Sequence, residues 1–231
     1  MARPAVQLAC GTYERAFSSA ELAYSMASLS LPYRNNREIN TQKPKTGYID
    51  YVRSIHEGFK DVKTLNYWLR KLDGANFLLN LPMSKKRPLK QSYKGGNHVY
   101  KLNNKISSLV KSNASNNNAT VYMVMMALLN TLMFKYTKQK DIIIGSPISN
   151  RNSSELDDVV GFFVNNLVIR TVVDVNSTFS EFVKIVRGNI LDDYTHQNIP
   201  FDHLVDELKL DRDLSYHPCF QIMLGYLMIS I

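Results

Sequence analysis

Cysteine is scarce in this chain, and its scarcity removes several classes of protein at once. Cys10 and Cys219 are the only two in 231 residues. A pair so far apart gives neither a disulfide framework nor the closely spaced thiols of a zinc site, so a reducing, cytoplasmic setting is expected. Long apolar runs are missing as well. The longest, Val121 to Phe134, is interrupted by Asn130 and Thr131. It falls short of the ~20 residues a membrane span needs and reads as a buried helix. Residues 1–10 have too short an apolar core for a secretory signal. No Gly-x-Ser-x-Gly elbow, glycine-rich phosphate loop or metal-spaced His and Cys cluster occurs in the sequence, which argues against those chemistries.

What is present is ordinary for a globular protein: 45% hydrophobic and 21% charged residues. The net charge of +8 is unevenly placed, with 18 Lys/Arg against 7 Asp/Glu in residues 1–110 and 10 against 13 in residues 111–231. The basic half is either a solvated lysine-rich face or a surface for an acidic partner. Nucleic acid is one such partner, but no helix-turn-helix, zinc-finger or aromatic-platform pattern accompanies the lysines.

Residues 1–47 are the least readable and are taken as an N-terminal segment or linker. Within them Ser18 to Leu31 forms a short helix with Leu22, Met26 and Leu29 on one face, and Pro32 to Gly47 is a loop. Thr64 to Leu72 reads as a helix with Leu65, Trp68, Leu69 and Leu72 on its apolar face, stopped by Gly74. Leu81 to Gly96 is a basic, proline-marked connection, His98 to Leu102 alternates like a short strand, and Asn104 to Asn113 is helical. Thr120 to Tyr136 is apolar on nearly every side and should be buried, its methionines serving as core filler. Ile142-Ile143-Ile144 is an interior strand closed by Gly145 and Pro147, and Phe162 to Val175 is a strand or strand pair. Thr178 and Glu181 make a reciprocal cap for a helix through Tyr194. Pro200 opens a short helix to Leu208, and Phe220 to Ile231 is a last strand. Strands and helices alternate, so the class is α/β.

Three stretches carry more than secondary structure. They are Val160-Gly161-Phe162-Phe163-Val164-Asn165-Asn166, His196-Gln197-Asn198-Ile199-Pro200-Phe201-Asp202, and Arg212-Asp213-Leu214-Ser215-Tyr216-His217-Pro218-Cys219-Phe220-Gln221. In this order they resemble the last three motifs of condensation domains from non-ribosomal peptide synthetases. Tyr48-Ile49-Asp50-Tyr51-Val52, Tyr67 to Gly74 with Leu79 to Pro82, and Ile142 to Pro147 with Asn150-Arg151 resemble the segments that precede them. The resemblance covers residues 48–231. Phe163-Val164-Asn165 is similar to the amide-forming type rather than to epimerisation or heterocyclisation domains. Asn166 in place of Thr, Tyr216-His217 in place of Arg-Asn, and Arg53 where Trp is usual depart from the pattern.

The resemblance implies a chloramphenicol-acetyltransferase-like lobe, a mixed sheet with packed helices, forming the C-terminal half of a two-lobed domain. It implies amide formation between thioesters held on the phosphopantetheine arms of carrier domains, with no cofactor bound directly and no nucleic acid or membrane partner. The family's His-His-x-x-x-Asp-Gly motif is absent from these residues, so no catalytic residue is expected here and the chain alone should be inactive. A lone lobe with open strand edges is expected to self-associate. A non-catalytic acyl- or carrier-binding module is the alternative. His56, His98 and His203 lack a paired nucleophile or base. Asn165 is expected to line the substrate channel, because a strand tolerates an unpaired amide poorly. Arg151 either pairs with an acidic group of the absent motif or is an exposed loop arginine. His196 either faces the channel or bonds carbonyls at a helix C-terminus, and helix polarity favours the latter. Arg212 and Asp213 form a local ion pair or cap.

Overall fold

A computed structural model describes residues 3–9, 47–58, 61–92, 94–151, 153–157, 159–211 and 213–229. In chain order the elements are β1 (Arg3–Ala9), α1 (Tyr48–Gly58), α2 (Val62–Leu72), α3 (Asn104–Asn116), α4 (Val121–Thr137), β2 (Asp141–Ile148), a single 3-10 turn (Ser154–Leu156), β3 (Asn165–Val172), α5 (Phe179–Thr195), α6 (Phe201–Leu208) and β4 (Met223–Ile229). The four strands make one sheet in the order β1-β4-β2-β3. β2 and β3 pair antiparallel from Asp141↔Val172 to Ile148↔Asn165. β4 meets β2 in parallel at Gly145↔Met223 and is flanked on its other side by antiparallel β1. The mixed α/β class read from the alternation of elements is the class observed.

Local chemistry explains where the two long helices start and stop. Thr120 Oγ1 accepts the Met123 N–H at 3.2 Å to open α4, which closes on Lys138 in the left-handed region, φ 61°. α4 buries Met123, Val124, Met126 and Ala127 among others but exposes Leu128, Leu132 and Tyr136, so it is covered on one side and not all round as its nearly continuous apolar sequence suggested. At α5, Thr178 Oγ1 accepts from Glu181 N–H while the Glu181 carboxylate accepts from Thr178 N–H at 2.8 Å. Such a cap contributes about 1 kcal/mol. α5 lays Phe182, Val183, Val186 and Ile190 into the same core as Ile142, Ile144 and Leu167 of the sheet.

Several expectations are corrected. His98 to Leu102 is irregular and exposed, with Val99 at 92% and Tyr100 at 72% exposure. Alternation makes a strand only where a neighbour completes its hydrogen bonds, and none of the described residues does so. The strand expected over Phe162 to Val175 is confined to Asn165–Val172, because just before it the Phe163 ring and the Phe162 carbonyl are engaged by α1. β2 runs through Gly145 and Pro147 instead of stopping there. Residues 3–9, read as part of a linker, form β1. The helix expected at Ser18 to Leu31 lies outside the described residues, as do Arg212 and the side chain of His56.

α2 is fastened to the rest of the molecule by charge. Arg170 grips Asp141 with two bonds, at 2.9 and 2.8 Å, and donates to the Lys71 and Asp73 carbonyls at the end of α2. On α5, the buried Asp193 accepts from Lys71 Nζ and from Tyr67 Oη. Burial raises the Asp193 pKa, outweighing the opposite pull of Lys71 and Tyr67.

Candidate functional site

Five stretches distant in sequence converge on one open cleft of about 1810 Å³: α1, residues 81–94, residues 162–166, residues 198–202 and residues 213–223. Aromatic contacts hold the α1 side. Tyr48 Oη donates to the Phe162 carbonyl at 2.9 Å, Asn150 Nδ2 donates to Tyr51 Oη at 2.9 Å, and both tyrosines pack on Phe163 with ring centroids 5.4 and 4.5 Å away. Gly161 must be glycine, because a Cβ there would lie 2.3 Å from the Tyr48 ring. At Gly145 a Cβ would lie 2.6 Å from the ring of Phe220, a residue that lines the cleft. Those two close approaches give the motif glycines a steric reason.

Asn165 lies at the start of β3 and borders the cleft. Its amide is taken up by the loop: Nδ2 donates to the Gln197 and Ile199 carbonyls at 3.1 and 2.7 Å, and Oδ1 accepts the Phe201 N–H at 3.0 Å. Asn165 thereby caps α6, whose N-cap residue Pro200 supplies no side-chain hydrogen bond. Arg151 closes its own loop, donating to the Leu156 and Val159 carbonyls with its guanidinium 4.0 Å from the Phe163 ring centroid. His196 sits apart from the cleft. It is the C-cap of α5, its Nδ1 lies 2.9 Å from the Asp192 carbonyl, and its ring stacks on Tyr67 at 3.8 Å. It lines a separate pocket of about 520 Å³ with Lys63, Asn66 and Arg70. Asn165 therefore borders the cleft, Arg151 packs on the cleft-lining Phe163 without lining the cleft itself, and His196 belongs to the seam between α2 and α5.

Three residues that shape the cleft had no role assigned from sequence. Gln221 accepts the Leu79 N–H at 2.7 Å and donates to the Phe77 carbonyl at 3.0 Å; Gln139 does the same for Asn80 and Leu78, at 2.7 and 3.0 Å. Together they hold the chain where it enters the 81–92 strap. His217 stacks on Phe220, centroids 4.4 Å apart, and its Nδ1 faces the Cys219 and Phe220 N–H groups at 3.3 and 3.4 Å. Nδ1 is thus the acceptor and Nε2 carries the proton. Burial holds this imidazole below its ordinary pKa. Only the departure of Tyr216-His217 from Arg-Asn marked this position in the sequence. Burial also pushes the Cys219 thiol up to about 12, leaving it a poor nucleophile.

The convergence of these segments matches a known family. The family model for the condensation domain covers residues 18–229. The chain belongs to the condensation domains of non-ribosomal peptide synthetases. It is 40% identical over 159 residues to bacitracin synthase 3 of Bacillus licheniformis, an alignment covering 69% of this chain and 2% of that protein. A four-domain nonribosomal peptide synthetase, solved in its holo form with AMP and glycine, superposes with a TM-score of 0.68 at 25% identity over 69% of this chain and 12% of that one. The X-domain from teicoplanin biosynthesis shares the fold, with a TM-score of 0.73 at 22% identity over 83% and 44% of the two chains. This condensation-domain chain thus spans a small fraction of the curated relative it matches. Among its described residues no single helix is long and apolar enough to cross a membrane.

Proposed function

We propose that this chain supplies one wall of the cleft in which a condensation domain joins two carrier-bound acyl groups through an amide bond. The observation that carries the reading is convergence: the Tyr48, Phe162 to Asn166, Asn198 to Asp202 and Asp213 to Gln221 segments, each part of a family motif, line a single cleft. Its apolar side chains, among them Tyr48, Phe162, Phe201 and Met223, suit acyl or aminoacyl groups, and Lys85, Lys86 and Arg87 on its border suit the phosphate of a pantetheine arm. The chain's part is positioning. A cleft that holds an amine against a thioester lowers the barrier by removing the entropy of encounter. The group that orients or deprotonates the amine comes from a polypeptide bearing His-His-x-x-x-Asp-Gly, a motif these 231 residues lack. His217, the one histidine among the described residues that borders the cleft, has Nδ1 committed to backbone N–H groups.

The test mixes the full chain with two carrier domains loaded as aminoacyl thioesters, with and without a separately expressed lobe carrying the double-histidine motif. Dipeptide is expected only when both lobes are present. Dipeptide above the buffer rate from this chain alone would overturn the division of labour. No dipeptide from the pair would overturn the assignment to amide synthesis and leave the acyl- or carrier-binding alternative.

A further inference from the structure

His217 is fixed on several sides, and one of its nitrogens is left over. Its Nδ1 accepts from the Cys219 and Phe220 N–H groups, its ring lies along Phe220 at an interplanar angle of 22°, and its carbonyl accepts from Gln221 Nε2 at 3.0 Å. Phe201 of α6 stacks near it, with ring centroids 5.7 Å apart. Because Nδ1 is an acceptor, the proton is on Nε2. Among the described residues no acceptor meets that N–H, and the nitrogen is not sealed inside the protein. The half-buried ring lines the cleft together with Phe201, Ser215 and Tyr216. A purely structural histidine in so packed a place would have both nitrogens engaged by the protein.

The backbone here does not need a histidine. An asparagine carries Oδ1 where the imidazole carries Nδ1 and can accept the same two N–H groups, and asparagine is the residue from which this position departs. Histidine adds an N–H two bonds further out, on a ring that cannot turn away. We infer that His217 is a specificity-determining residue whose Nε2–H receives a neutral oxygen, as a hydroxyl, ether or carbonyl, on the side chain of the acyl group held in the cleft. The inference rests on the amide-forming reading above and names a substrate feature that the cleft selects. The thioester carbonyl is common to every substrate, whereas a donor gained by exchanging one side chain suits a group that differs between substrates. Near neutrality the ring is uncharged, since burial lowers its pKa, so its N–H suits a neutral acceptor better than a carboxylate. A donor fixed in advance loses little entropy on binding, and a ligand without the oxygen would bury it unpaired.

The experiment measures binding of hydrolysis-resistant aminoacyl pantetheine amides to the full chain, in pairs that differ by one oxygen: threonyl with valyl, and tyrosyl with phenylalanyl. In at least one pair the parent should bind the oxygen-bearing member about three- to tenfold more tightly. His217→Asn keeps the acceptor for the two backbone N–H groups and removes the outer donor, so in this variant that ratio should fall to near one. A second readout needs no variant: the Nε2–H resonance of 15N-labelled His217 in the parent should move with the oxygen-bearing ligand and much less with its hydrocarbon partner. Equal ratios in parent and variant with an unmoved resonance would overturn the assignment to His217. A loss shared alike by both members of each pair would overturn side-chain selection in favour of a contact to the common carbonyl. No preference in either pair by the parent would overturn the inference and leave the cleft reading standing. No binding of any of the four would overturn the acyl-cleft reading itself.

Discussion

In α4 and α5 the helix starts are closed by Thr120 and Thr178, and one apolar face of each packs into a shared core with β2 and β3. Residues 81–109 behave differently. They leave Leu89, Val99 and Tyr100 in solvent, and their long-range fastenings sit at the entry and around Arg87 and Gln91. The contrast separates two kinds of sequence information. The first region encodes most of its own structure, because its caps close locally and one face of each helix finds the core within it, although Leu128, Leu132 and Tyr136 of α4 stay exposed. The second carries side chains whose stabilising contacts the described residues do not provide, the signature of a segment that is completed by something else.

Substitutions can break this comparison or sharpen it. The largest effect is expected at the seam that locks α2 to the packed region. Lys71→Met strands the buried Asp193 carboxylate without its cation and should cost about 3–5 kcal/mol in urea denaturation near neutral pH. The folded pKa of Asp193 is raised by burial. Its stabilising contribution is therefore complete below the ordinary carboxylate value and lost as pH rises through the folded value. The damage from Lys71→Met should accordingly shrink on acidification. A variant as stable as the parent at neutral pH would mean that the α2–α5 lock contributes nothing.

Asn165→Ala comes next. It leaves the Phe201 N–H and the Gln197 and Ile199 carbonyls without their partner, for an expected loss of about 2 kcal/mol by thermal or urea unfolding. An unchanged melting temperature together with a fall in dipeptide yield from the paired lobes would instead make Asn165 a channel residue first.

The smallest effect lies at the boundary between the two regions. His217 has a folded pKa below its ordinary 6.5 because of burial. Its contribution is present above that ordinary value and is lost as pH falls through the folded one, when a protonated Nδ1 would meet two N–H groups. His217→Asn should remove this component, so the parent should lose more stability than the variant between about pH 7.5 and about pH 5.5. Parallel pH profiles would show that the ring is tolerated in either charge state.

The legibility of the sequence follows the same division. Thr178 with Glu181, the nearly continuous apolar course of Val121 to Phe134, and Gly74 at φ +61° announce themselves because each is decided by neighbours within a few residues. The strand expected at His98 to Leu102 failed because alternation specifies a face and not a partner. Site residues were harder. Asn165, Arg151 and His196 were legible as polar residues in telling places, but their bonds run to residues chosen by tertiary packing. The Arg170–Asp141 clamp and the Gln139 and Gln221 clips left no local trace, since polar side chains separated by 29 to 144 residues have no shared periodicity.

The close approach of Phe220 to Gly145 carries the cleft's shape into the centre of the sheet. Because the Phe220 ring occupies the space a Cβ would need, and also touches His217 and Phe201, a methyl group added at position 145 would be felt at the cleft without meeting any ligand. Positions 145 and 220 therefore act as one locus for engineering. An alanine at 145 should become acceptable once the side chain at 220 is smaller. Libraries that vary the cleft wall should then randomise the two together, because single changes at either would be discarded for misfolding before their effect on substrate choice was seen.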